Sequence, residues 1–119
     1  VSSENINKFS SFAIDCHFND QQTPAMLQIM RTTRFRNFGA TAIHLAYVAK
    51  GSLIGAVTTN AKLWDIAAGI LIIETAGGKV TYADGKPILP IDLNNYKTQN
   101  YNILATNGKV HDQLVKLFS

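Results

Sequence analysis

The sequence predicts a layered α/β domain. Stretches that alternate with a period of two are interleaved along the chain with stretches of helical spacing. Glycine and proline mark the joins between them. No internal repeat, low-complexity segment or linker divides the 119 residues, enough chain for one domain with a real core. An apolar content of 46% with 16% charged residues fits an ordinary folded protein rather than a disordered or coiled-coil one.

The elements follow in order. Phe9 to His17 alternates as a strand, and "NDQQ" breaks it. Thr23-Pro24 reads as a helix start, a hydroxyl cap followed by proline at the first helical position, leading into "AMLQIMRT". "RFRNF" alternates charged and aromatic residues like an exposed strand. After Gly39, "ATAIHLAYVAKG" is a helix closed by Gly51, and "LIGAVTT" is a short strand. A further helix runs from about Leu63 to Ala76 and ends at Gly77-Gly78. "KVTYADG" is a strand entering an Asp84-Gly85 turn, and "KPILPIDLNNYKTQN" is an exposed connection. "YNILATN" is a last buried strand, and Val110 to Phe118 is an amphipathic helix.

Charge and cysteine content narrow the function classes. The net charge is +3, which could serve nucleic acid, yet no Lys/Arg run with interleaved aromatics appears, so nucleic acid is not expected and small anions are at least an equally good partner class. Arg31, Arg34 and Arg36 are either a solvated face or a phosphate-binding group. The single cysteine, Cys16, excludes a disulfide framework and points to a reducing, cytoplasmic setting. Its alternation with Ile14 predicts a buried side chain without a nucleophilic role. The apolar run Ile66 to Ile73 is far too short to span a bilayer, and no membrane association is expected. Because the chain begins at Val1 rather than Met, it is expected to be part of a longer polypeptide.

One placement calls for chemistry. The helix after Asp65 is apolar on nearly every side, which predicts burial between layers, with Gly69 there for close packing. An acid nonetheless stands in its first turn, directly after Trp64. Two readings of Asp65 stand: a cap for the free N–H groups of the helix start, or a carboxylate that coordinates a divalent cation such as Mg²⁺. Gly39, Ala40 and Thr41 open the preceding helix, either as a plain turn or as a seat for an anion. Asp15, His17 and Asp20 lack the spacing of a zinc site, although Asp15 and His17 would share a strand face. His44 is expected to be a hydrogen-bonded or surface residue within an apolar helix, and His111 to face solvent.

"LWDIAAGILIIETAGGKV" resembles the C-terminal signature of the inositol monophosphatase family, through Trp64, Asp65, Ala67, Ala68, Gly69, Glu74, Ala76, Gly77 and Gly78. "RFRNFGATAIHLAYVAKGSLIGAV" is similar to the family's preceding segment, so the matching motifs run from Arg34 to Val80. The resemblance implies a mixed sheet of about five strands flanked by helices, the C-terminal subdomain of the sugar phosphatase fold, over residues 1–119. It implies Mg²⁺-dependent hydrolysis of small phosphate esters by a metal-activated water. By the same match Asp65 is a metal ligand at the catalytic site, Trp64 shields and orients it, and Gly39, Ala40 and Thr41 contact substrate.

Two departures qualify the match. The family's other ligands, in an Asp-Pro-x-Asp-Gly-Thr motif and an upstream glutamate, are absent from these residues, so the isolated chain is expected to be inactive without its upstream half. Thr58 stands where inositol monophosphatases carry a substrate-reading glutamate, leaving inositol phosphate, another polyol or sugar phosphate, or a nucleotide-type phosphate open. A full-length homodimer is the expected assembly. A noncatalytic binding, regulatory or dimerisation module of the same family is the alternative.

Overall fold

The computed structural model of the protein describes residues 1–97 and 99–118. Thr98, in the expected connection, lies outside the described residues. Among the described residues the strands and α-helices follow in the order β1 (Ser11–Ile14), α1 (Thr23–Thr32), β2 (Arg34–Arg36), α2 (Thr41–Lys50), β3 (Gly55–Ala61), α3 (Leu63–Thr75), β4 (Lys79–Tyr82), β5 (Tyr101–Thr106) and α4 (His111–Phe118), with a 3-10 turn at Leu93–Asn95. They form one mixed five-stranded sheet in the order β2-β1-β3-β5-β4. β1 pairs parallel with both β2 and β3, whereas β5 is antiparallel to β3 and β4.

The period-two alternation sorts the strand residues onto two faces. Phe12, Ile14, Val57 and Leu104 pack with Met26 and Ile29 of α1 and Leu114 of α4. Ala13, Ala56, Ile103 and Ala105 pack with Leu45 and Val48 of α2 and with Ile66, Ile70 and Ile73 of α3. The small residues on the second face let that helix pair sit close to the sheet. The two helices also approach each other closely at Gly69, where an added Cβ would meet the side chain of Leu45, 2.9 Å from its Cβ. α2 ends as expected at Gly51, which takes φ 94° and returns its N–H to Tyr47 and Val48.

Several sequence expectations are corrected. β1 stops at Ile14 because Asp15 Oδ1 accepts the Cys16 N–H and His17 turns to φ 61°, which removes the shared strand face of Asp15 and His17. Cys16 is therefore exposed rather than buried. Thr23 is not the cap of α1: Gln22 holds that position, and the Thr23 hydroxyl donates back to the Asn19 carbonyl. α3 is not buried all round, since a single layer of helices covers this face of the sheet. Only Ile66, Ile70 and Ile73 turn inward, while Leu71 and Ile72 are 68% and 52% exposed. Among the described residues no helix is long and apolar enough to cross a membrane.

His111, expected at the surface, is buried between β4 and β5. The Thr81 hydroxyl donates to the Tyr82 carbonyl, so it accepts from His111 Nε2–H at 2.8 Å. The Thr106 oxygen takes the Gly108 N–H and can donate to Nδ1 at 2.9 Å. This arrangement suits a neutral imidazole, and burial, reinforced by the Lys79 charge, pushes the His111 pKa down to about 4.

Two stability experiments test this packing. Gly69→Ala gains about 1 kcal/mol of intrinsic helix propensity but forces α2 and α3 apart, at a typical overpacking cost of about 1–3 kcal/mol. Urea denaturation is expected to show net destabilisation. Because the folded pKa of His111 lies below its unfolded value of 6.5, its contribution is complete above that pH and is lost as pH falls toward about 4. Denaturation across this window is expected to show a loss of order 2 kcal/mol, most of it absent in His111→Gln.

Candidate functional site

Parallel α/β sheets present their sites at the carboxyl ends of strands, where neighbouring connections leave on opposite faces. That condition is met between β1 and β3, because α1 lies on one face and α2 and α3 on the other. The residues that follow these strand ends are Asp15 after β1, Gly39 to Thr41 after β2, and Lys62 to Asp65 after β3. Separate stretches of sequence thus meet at one edge of the sheet.

The turn into α2 is held in a defined shape. Gly39 takes φ 82°, a left-handed conformation that a side chain would strain, and donates its N–H to Asn37 Oδ1 at 2.8 Å. Asn37 in turn reaches Cys16 Sγ at 3.0 Å, tying the turn to the end of β1. Behind it, His44 Nε2 accepts the Phe38 N–H at 2.9 Å, which places the imidazole proton on Nδ1. His44 is only 3% exposed, and burial lowers its pKa against the opposing pull of the Asp15 charge. Ala40, at the N-cap, makes no side-chain cap bond, and the first turn carries no acid. The positive end of α2 is thus left to a ligand or to water.

Beside that helix end runs a short polar chain. Thr58 Oγ1 donates to Asp15 Oδ2 at 2.6 Å, and Thr41 Oγ1 stands 3.5 Å from the same hydroxyl. With its proton on Asp15, the Thr58 oxygen is an acceptor toward Thr41. Thr58 is 4% exposed, whereas Asp15 is half-buried, so the carboxylate rather than the hydroxyl meets solvent. Sequence spacing weighed Asp15 only with His17 and Asp20. Its position directly after a strand ahead of a parallel crossover was the signal that could have found it.

At the start of α3, Asp65 Oδ2 accepts the Lys62 N–H at 2.9 Å, one half of a capping box. The carboxylate itself is exposed, as is the neighbouring Trp64 at 65%. Among the described residues no group of three His, Cys, Asp or Glu side chains gathers as a metal cage. Arg34 lies over the Phe9 ring, and Arg36 bonds the Phe35 carbonyl. The cleft between α1 and α4 is lined by Ile6, Phe12, Ile29, Leu114 and Leu117 with Gln28, Thr32, Thr33 and Gln113, and holds none of these groups.

The chain is similar in sequence and in fold to known proteins. The sequence model of the inositol monophosphatase family matches residues 2–119. A bifunctional NADP phosphatase/NAD kinase of Methanococcus maripaludis is 34% identical over 99% of this chain and 21% of its own length. A fructose-1,6-bisphosphatase/inositol-1-monophosphatase of Thermotoga maritima is 39% identical over 73% of this chain and 31% of its own. Among solved structures, the extragenic suppressor protein suhB of Bartonella henselae superposes with a TM-score of 0.82 at 28% identity, covering all of this chain and 45% of that one. The Thermotoga maritima IMPase gives 0.78 at 29%, covering 99% and 43%. The chain spans less than half the length of each of these relatives.

Proposed function

The chain belongs to the inositol monophosphatase family, and on that premise we propose that it forms part of a phosphomonoesterase acting on an inositol phosphate, a sugar phosphate or a related small ester. The observation that carries this reading is the placement of Asp65. An exposed carboxylate is held by a backbone N–H at a helix start, on the same sheet edge as the uncapped end of α2. One feature suits a cation and the other an anion, the pair of charges that phosphoryl chemistry requires.

Mg²⁺ takes one or two carboxylates together with waters and phosphate oxygens, so Asp65 fits it as one ligand of a larger set. The remaining ligands are proposed to come from elsewhere in the polypeptide, in keeping with relatives more than twice as long as this chain. When bound, such a cation supplies charge stabilisation and a more acidic water. This chain's own residues orient the reactants. The Lys62 N–H fixes the Asp65 carboxylate, and Trp64 stands beside it. The Gly39 turn, braced by Asn37 and His44, aims the first N–H groups of α2 at the ester's anionic side. Cys16, exposed and unbridged, fits a reducing compartment such as the cytoplasm.

Phosphate release by the polypeptide that carries this chain, assayed with Mg²⁺, tests the reading. Asp65→Asn can still accept the Lys62 N–H, so the cap survives while the ligand charge is lost. A fall in kcat of about 100-fold or more is expected, with little change in melting temperature. Retained activity in that variant would reduce Asp65 to a cap. A wild-type protein inactive on every ester would favour the noncatalytic binding module instead.

A further inference from the structure

We propose that Asp15 is the residue that reads substrate hydroxyl groups, held in position by Thr58, and that this selects polyol-type monophosphates. The inference deepens the phosphatase reading and rests on it. The groups of this cluster differ in the hydrogen-bonding capacity they keep toward a ligand. Thr58 has little: its proton is committed to Asp15 Oδ2 at 2.6 Å, its oxygen faces Thr41, and it is almost fully buried.

Asp15 differs on each count. Its two oxygens take one protein N–H and one O–H, from Cys16 and Thr58, and a carboxylate has about four acceptor positions in all. The side chain is half-buried, so it is held yet reachable. It stands at the end of β1, joined through Thr58 to Thr41, the first residue of α2. An anion seated on α2 would therefore have an acceptor-only, negatively charged group beside it.

Such a group attracts O–H donors and repels a second phosphate. The substrate class it fits is a monophosphate ester with free hydroxyls next to the phosphate. Thr58 is then a positioning residue. Its short bond fixes which lone pairs of Asp15 point outward, while the Asn37–Cys16 contact holds the neighbouring backbone.

The test compares kcat and KM of the full-length protein on paired esters with and without hydroxyls: inositol monophosphate against cyclohexyl phosphate, and glucitol monophosphate against hexyl phosphate. Wild type is expected to prefer the polyol member of each pair. Asp15→Asn should raise KM for the polyol esters about 10- to 100-fold, the range for a hydrogen bond to a charged group, and leave KM for the hydroxyl-free esters level or lower, because a negative charge beside their phosphate is removed. Thr58→Val should move the preference the same way by a smaller factor, and it keeps the test open should Asp15→Asn melt early. Equal losses on both members of a pair, or an unchanged preference, would overturn the assignment. Wild type inactive on all four esters would instead bring down the phosphatase reading, and this inference with it.

Discussion

The arrangement depends on one topological constraint: β1 has a parallel partner on each side. A parallel crossover is almost always right-handed, so a connection moving one way across the sheet and a connection moving the other way must lie on opposite faces. β1 to β2 moves outward and places α1 beneath the sheet. β2 to β3 passes back over β1 and places α2 above it. The two cores follow, as does the crevice at the strand ends, because the chain there parts in two directions. Asp15, Thr41 and Thr58 meet at that end of the sheet although forty-three positions separate Asp15 from Thr58, and Asp65 follows the end of β3 on the same side.

Packing on the α2–α3 face sharpens this geometry. Alanines at 13, 56 and 105 form a shallow floor on the sheet, and Gly69 lets α3 lie against Leu45 without an intervening methyl group. The start of each helix is consequently set by rigid contacts rather than by its loop. α2 begins where His44, itself buried on that helix, reaches back to the Phe38 N–H. α3 begins where Asp65 reaches back to Lys62. In both cases a side chain one turn into the helix fixes the residue that precedes it.

Much of the fold was legible in the sequence because backbone chemistry is local. Glycines 51 and 77 stop helices in left-handed conformations, and the short β-rich runs that became the buried strands β3 and β5 could be read directly. What escaped depended on distant partners. His111 looked solvent-facing because nothing in its own helix shows that Thr81 and Thr106 converge on it from two strands. Cys16 continued an alternation that the Asp15 side chain and the turn at His17 had already ended. α3 read as buried all round because its hydropathy is high throughout, whereas only one of its stripes meets the sheet. At the candidate site, Asp65 and the Gly39 turn were visible as a motif. The link from Asp15 to Thr58 spans forty-three positions and needed the parallel pairing of β1 with β3.

The two readings of Asp65, cap and ligand, are compatible. A capping carboxylate that accepts a backbone N–H is restricted to one orientation, and that restriction lowers the entropy a metal ligand would otherwise lose on binding. The same logic extends to Asp15, whose two oxygens are each anchored by one protein donor while acceptor positions remain. Carboxylates therefore stand after the two parallel strands that flank the switch point, and the positive end of α2 opens onto the same edge. On the proposed reading an anionic ester would be drawn to the helix end, a cation to Asp65 and hydroxyl donors to Asp15, so the three components of such a site would sort by charge and donor character along one edge of the sheet.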